Sequence, residues 1–315
     1  MFQKKLKQKI ANIFLNSSNT RKELDHGQSF AFGGMQGWRI SNEDIHKHLI
    51  PIDHHSWKLW SYFAIFDGHN GIDTAKNAAD LLDKYLIDTL NQIGINSNDE
   101  SIHSSQIDKN QLNHIIKKTF LQLDKKLANL VNDQSGSITS LIGPKYIYLI
   151  NVGDARAIII SNDGQVLAYT KGYFLLYQFI YLKIFNLIKD HKPNVIQEQE
   201  RIHKAGGRIT QYENDVARVE DKLAVSRTFG DYSLDKRLIP ALPDIIQYRK
   251  DSLAAFVILA CDGIWDVMTN EQVALFVSQK ASNTSLENIA SQLLDQCLKL
   301  KTSDNMSIYI IKVFN

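Results

Sequence analysis

Cysteine is nearly absent from this chain: only Cys261 and Cys297 occur in 315 residues, and no Cys-x-x-Cys pair exists. Neither a thiolate zinc site nor a disulfide framework is supported, so reduced thiols in a reducing compartment, cytoplasmic or nuclear, are expected. One-sided charge is lacking too. With 36 basic and 34 acidic residues, the formal charge of +2 gives no field that would argue for nucleic acid. The start, Met1-Phe2-Gln3-Lys4, has neither the glycine of a myristoylation signal nor the apolar stretch of a signal peptide. No internal repeat is found. What remains is ordinary globular composition, 44% hydrophobic and 22% charged, at a length that allows one large domain or two.

Residues 1–28 are polar and basic and read as a loosely held extension. Lys4, Lys5, Lys7 and Lys9 alternate there with Leu6, Ile10, Ile13 and Phe14, an amphipathic terminus or a membrane-surface helix. Strand-like runs follow at Phe30 to Met35, Ile45 to Pro51 and Trp57 to Phe66. Apolar residues at helical spacing predict helices over Ile72 to Leu90 and Gln111 to Val131, with a polar surface loop from Asn91 to Asn110 between them. Four short runs between Ile138 and Thr170, separated by Gly-Pro, Gly-Asp and Asn-Asp-Gly turns, read as an antiparallel meander. A helix from Asn194 to Ala205, a loop-rich stretch to Pro243, and strands at Ile245 to Tyr248 and Leu253 to Cys261 come next. Two helices, about Asn270 to Lys280 and Ser285 to Leu300, precede a last strand from Met306 to Val313. Elements in blocks, rather than strict βαβ alternation, predict an α+β fold. In it two antiparallel β-sheets pack as a central sandwich with helices on both outer faces (αββα).

One block does not belong to this pattern. Residues 172–188, from Gly172 to Ile188, are almost wholly aromatic and aliphatic, yet Gln178, Lys183 and Asn186 interrupt them and they are short for a membrane span. No transmembrane segment is therefore expected. Removing about 18 residues, the block together with Lys189, runs Ala168-Tyr169-Thr170-Lys171 into Asp190-His191-Lys192-Pro193, a continuous polar turn. A lineage-specific insertion and a short in-frame intron read as coding sequence both account for it. The second is favoured by residues with AT-rich codons, and a spliced message lacking the block would establish it.

The chemistry lies in carboxylates at strand ends. Ser61 to Phe66 runs into Asp67-Gly68-His69, and Phe256 to Cys261 into Asp262-Gly263. Each buried strand delivers an acid where it stops, beside a glycine that allows close backbone approach to a ligand. Glu43-Asp44 precedes a strand, Asp304 sits immediately before the last one, and Asp154 occupies a tight turn. Taken singly, each reads as a turn former or a solvated acid. Together they form an oxygen-rich set that favours Mg2+ or Mn2+ over zinc. His46, His48, His54 and His55 read instead as solvated loop residues, and His191 as a residue serving the fold.

In order, Met35-Gln36-Gly37-Trp38-Arg39, Glu43-Asp44, Phe66-Asp67-Gly68-His69, Ser135-Gly136-Ser137 and Gly153-Asp154-Ala155-Arg156 lead to Asp190-His191-Lys192-Pro193 and Ala205-Gly206-Gly207. Leu223 to Asp231, Ala260 to Val267 and Asp304-Asn305-Met306 complete the series. This series resembles the metal-dependent serine/threonine protein phosphatases of type 2C over about residue 30 to the C-terminus, and 29–315 is read as that domain. The resemblance implies hydrolysis of phosphoserine and phosphothreonine in phosphoprotein substrates by a monomer with two Mg2+ or Mn2+ ions. It implies that Asp67 bridges the ions, that Glu43 and the Gly68 carbonyl hold one, and that Asp262 and Asp304 hold the other. A water bridging the metals would be the nucleophile. Arg39 would grip phosphate oxygens and Asp44 would orient metal-bound water. His69 would protonate the leaving oxygen, or else be a turn histidine packed beside the metals. Asp154 and Asp266, with Asp262, fit a weaker third metal position, or are plain turn and helix-start acids.

The chain departs from the family pattern at Asn42, Asn70 and Ile138. Its stretch from Ser137 to Pro144 is short, which predicts a trimmed connection or core strand, and its flap region from Asp231 to Asp244 is compact. The rivals are a pseudophosphatase acting as a regulatory binding module and a hydrolase of small phosphoesters.

Overall fold

The computed structural model describes residues 19–92, 109–171, 188–213 and 215–313. The amphipathic basic segment and the apolar block, apart from Ile188, lie outside the described residues. Along the chain run strands β1 (Asn19–His26), β2 (Phe30–Gly37), β3 (Ile45–Leu49) and β4 (Ser61–His69), then helices α1 (Asp73–Gln92) and α2 (Lys109–Leu127). Strands β5 (Gln134–Ile142), β6 (Tyr146–Val152), β7 (Arg156–Ser161), β8 (Val166–Lys171) and β9 (Ile188–Lys189) follow, and then α3 (Ile196–Lys204). Two-residue strands β10 (Ile209–Thr210), β11 (Arg218–Val219) and β12 (Phe229–Gly230) lead to β13 (Asp244–Arg249) and β14 (Ala254–Ala260). The last described elements are α4 (Asp262–Trp265), α5 (Asn270–Ala281), α6 (Leu286–Lys299) and β15 (Met306–Lys312). Two compact units result: Met1–Asp44, Arg156–Tyr169 and Asp251–Asn315 form the first, Ile45–Ala155 and Thr170–Lys250 the second.

The first unit is built on an antiparallel sheet in the order β1-β2-β15-β14-β7-β8. Every residue of β14 is buried, with Val257, Ile258 and Leu259 paired against Ile311, Ile310 and Tyr309 of β15. Helices α5 and α6 lay Val273, Val277, Ile289, Leu293 and Leu294 onto Met35, Ile158, Ile258, Ile308 and Ile310. Each such side chain taken from water stabilises the unit by roughly 1.5–3 kcal/mol. Strand β1 corrects the expectation for residues 19–26, which belong to this sheet and not to a loose extension. They hide from pattern analysis because an edge strand exposed along most of its length needs no apolar alternation. Lys22 anchors it instead, donating to Asp295 on α6 at 2.7 Å and to Ser291 at 2.8 Å.

The second unit carries a sheet in the order β13-β6-β5-β4-β3, with β12 added against β5. Tyr62, Ala64 and Phe66 of β4 and Tyr148, Ile150 and Val152 of β6 share one core with Leu82 and Leu86 of α1 and Phe120 and Leu123 of α2. The predicted periodicity of both helices is thereby used. The expected meander is corrected: β5 and β6 form a hairpin here, but β7 and β8 pair in the first unit. Thr170–Lys171 and β9 make the one parallel pairing among the described strands. Strand β5 is not trimmed; it pairs with β4 along its whole length from Gln134 to Ile142, and only the turn through Gly143 to Lys145 is short. His46 and His48, expected in a loop, lie on β3, where His48 stacks on Phe63.

Helix α1 begins at Asp73, with three residues between it and the end of β4 at His69, and takes its cap from far along the chain. Asp133 accepts the backbone N–H groups of Asp73 at 2.7 Å and Thr74 at 2.8 Å, and the Thr74 hydroxyl as well. A carboxylate at a helix N-terminus satisfies orphan donors and meets the positive end of the dipole. Asp133→Ala is expected to cost about 1–2 kcal/mol, read as a lower midpoint in urea with the slope unchanged.

Candidate metal centre

The first unit presents Arg39, Glu43, Asp44, Asp262, Asp266 and Asp304. Asn305, immediately before β15, ties down the loop that carries Arg39 and Glu43. Its Nδ2 donates to the carbonyls of Gln36 and Ser41, each at 2.9 Å, and its Oδ1 accepts the Glu43 N–H at 3.0 Å. The loop bearing Arg39 and Glu43 is thus tied to the strand that starts beside Asp304. Arg39 closes the same loop, its guanidinium paired with the Asp304 carboxylate while Nε donates to the Ser303 carbonyl at 3.2 Å. Asp44 is buried and accepts the Ser307 hydroxyl at 2.7 Å. Asp262 opens the single-turn helix α4, and Asp266 follows at its end. Gly263 lies so close to Asn305 that an added Cβ would sit 2.0 Å from the Asn305 carbonyl oxygen, which explains why glycine follows Asp262.

The second unit presents Asp67, Gly68, His69 and Asp154. Asp67 is buried at the end of β4, opposite Gly136 of β5. The His69 ring is held by its own strand, Nδ1 donating to the Asp67 carbonyl at 3.2 Å and lying 3.4 Å from the Asp67 carboxylate. Asp154 is 5% exposed; its Oδ1 has no hydrogen-bond partner, and its Oδ2 lies 3.6 Å from Lys192 Nζ. The preceding Gly153 has φ of +101°, and an added Cβ would meet the Gly136 Cα at 3.0 Å, so the turn tolerates only glycine.

Behind Asp154 in the same unit runs a chain of charges, buried at Glu198 and half-buried at Asp244, that the sequence did not single out. Arg227 donates to both carboxylate oxygens of Glu198, at 2.6 Å to Oε1 and 3.1 Å to Oε2, and to Asp244 at 3.1 Å. Burial pushes the Glu198 carboxyl up, but the Arg227 and Arg201 guanidinium groups outweigh it and hold the group at about 2. Asp244 is likewise held at about 2 against burial, by His191 and Arg227. His191 itself is buried, as its assignment to the fold anticipates.

The donor chemistry fits a hard divalent cation. Every acid expected as a ligand offers oxygen. The one nearby thiol, Cys261 Sγ, accepts the Ser307 N–H at 3.1 Å and contacts the Asn305 carbonyl oxygen at 3.4 Å. A buried carboxylate oxygen without a partner, as at Asp154, is costly unless a cation or donor meets it. No helix among the described residues is long and apolar enough to cross a membrane. Sequence reasoning quoted Asn305 without giving it a role and did not find Asp133 or Ser307. The close sequence neighbours of Asp304 were the available signal for Asn305; for Asp133 none existed.

A family model described as Protein phosphatase 2C matches residues 28–306. Among curated proteins, the chain is 32% identical over 318 aligned residues to human "Protein phosphatase 1B", covering 95% of this chain and 60% of that protein. It is 33% identical to the rat "Protein phosphatase 1B", covering 95% of this chain and 74% of the relative. The chain thus spans less than two thirds of the human relative's length. Its fold is that of the solved "serine-threonine phosphatase 2C from Toxoplasma gondii", with a TM-score of 0.71, 19% identity, and coverage of 93% of this chain and 99% of that one. The α+β class expected from the sequence is therefore the observed one.

Proposed function

From the premise that this chain belongs to the protein phosphatase 2C family, we propose that it is a metal-dependent hydrolase of phosphoserine and phosphothreonine in proteins. Carrying this reading is the retention of Glu43, Asp67, Asp262 and Asp304, with Arg39 and His69, in a chain matched almost throughout by the family model. Glu43, Asp67, Asp262, Asp304 and the Gly68 carbonyl would hold two Mg2+ or Mn2+ ions, Asp67 serving both. Such a pair, when bound, supplies Lewis acidity that offsets phosphoryl charge and lowers the pKa of water.

The remaining work falls to the protein. Arg39 presents a planar, permanently charged fork to the phosphoryl oxygens, a geometry lysine lacks. Its tether to the Ser303 carbonyl fixes the guanidinium before substrate arrives. His69, protonated on both ring nitrogens, would deliver the Nε2 proton to the departing serine or threonine oxygen while Nδ1–H stays engaged with the Asp67 carbonyl. Asp44, steadied by Ser307, orients water by accepting its hydrogen. The intact pairing of β5 supports an active enzyme over a pseudophosphatase.

Purified protein is expected to release phosphate from a phosphothreonine peptide with Mn2+ or Mg2+ and to lose that activity in EDTA. Hydrolysis undiminished by the chelator would refute the reading.

A further inference from the structure

His191 grips the turn that presents Asp154 from two sides. Its Nδ1 accepts the Gly153 N–H at 3.0 Å, and its own backbone N–H donates to the Gly153 carbonyl at 2.9 Å. Asn151 Nδ2 adds a second bond to that carbonyl at 3.2 Å. With Nδ1 accepting from Gly153, the other ring nitrogen, Nε2, faces the Asp244 carboxylate 3.3 Å away. Asp244 is held in turn by Arg227, and Arg227 by Glu198 on α3. The ring is 1% exposed, so it is wedged between a rigid acid and the turn. At the far side of the turn, the Asp154 Oδ1 is buried with no protein partner.

We propose that His191 is a positioning residue: its Nδ1 and backbone N–H, with Nε2 facing Asp244, fix the Gly153–Asp154 turn so that the free Asp154 oxygen meets a divalent cation. The inference rests on reading Asp154 as a ligand of the weaker third position. A ligand held by a conformationally locked turn needs no ordering when the ion arrives, whereas a loosened turn does, and the affinity falls accordingly. Two substitutions separate positioning from packing. His191→Asn keeps an oxygen where Nδ1 accepts the Gly153 N–H; His191→Gln keeps only the distal polar atoms that face Asp244.

The first test needs no metal. Nitrogen-15 NMR of the histidine rings should find the His191 Nδ1 unprotonated and Nε2 protonated; a protonated Nδ1 would overturn the proposal. The second is Mn2+ titration followed by calorimetry. His191→Gln should weaken the weakest Mn2+ site on the order of tenfold or more, leave the two tighter sites in place, and raise the Mn2+ needed for half-maximal rate. His191→Asn should restore the wild-type value to within about threefold. If both variants bind Mn2+ as wild type does and only unfold more readily, His191 merely packs and the proposal fails. If both lose the weakest site alike, the bond to Gly153 is not the determinant and it fails as well. Asp154→Ala serves as the control on the underlying reading: unaltered Mn2+ stoichiometry in that variant would remove Asp154 from the ligand set, an outcome distinct from any change at His191.

Discussion

Asp67→Asn is expected to lower kcat for a phosphothreonine peptide by roughly 10^3-fold or more, equivalent to about 4 kcal/mol of transition-state stabilisation. The substitution preserves shape and burial but removes the negative charge on the one side chain proposed to serve both ions. An amide oxygen remains a weak ligand, so one ion can still bind while the pair is lost. Stability is expected to hold or rise, because burying a neutral amide is less costly than burying a carboxylate. Steady-state kinetics at saturating Mn2+, alongside urea denaturation, separates the two effects. A variant with near wild-type kcat would remove Asp67 from the centre; one that has simply unfolded would show in the denaturation curve.

The second large effect is structural. Arg227→Leu is expected to destabilise the protein by about 3–5 kcal/mol, since it takes the bidentate partner from buried Glu198 and leaves that carboxylate to Arg201 and Ser226 alone. Arg227 meets Glu198, Asp244 and the Leu242 carbonyl together, the last at 3.0 Å. Lysine cannot make those contacts at once, so Arg227→Lys should recover only part of the loss. The pH dependence has a definite sign. Glu198 falls from an ordinary value of 4.5 to about 2 on folding, and Asp244 from 3.8 to about 2. Depressed carboxylates stabilise the fold above their unfolded values, and that contribution disappears as pH falls from about 4.5 towards 2. Wild type should therefore lose stability steeply across that window, and Arg227→Leu should show a shallower slope. Urea midpoints measured from pH 7 down to pH 3 provide the comparison.

What could be read from the sequence follows from where apolar residues repeat. The buried runs of β4 and β14 and the spaced Ala75, Ala78, Leu82 and Leu86 of α1 carry their own signal, because burial of one face demands them. Strand β1 carries none: its polar residues are compatible with solvent, and only pairing with β2 makes it a strand. The acids at strand ends were legible for the same reason as the strands. Their supports were not. Asp133 caps a helix that starts 60 residues earlier, and Asn305 bonds a loop more than 260 residues away, relations that tertiary structure alone creates. The charge chain from Glu198 through Arg227 and Asp244 to His191 is of this kind as well.

The proposed function stands on Asp67 serving as one ligand shared by a pair of ions. Electron paramagnetic resonance of the Mn2+-loaded protein tests that most directly. A spin-coupled Mn2+ signal is predicted for wild type, replaced by the hyperfine pattern of isolated ions in Asp67→Asn. Isolated-ion spectra from fully loaded wild-type protein would contradict it.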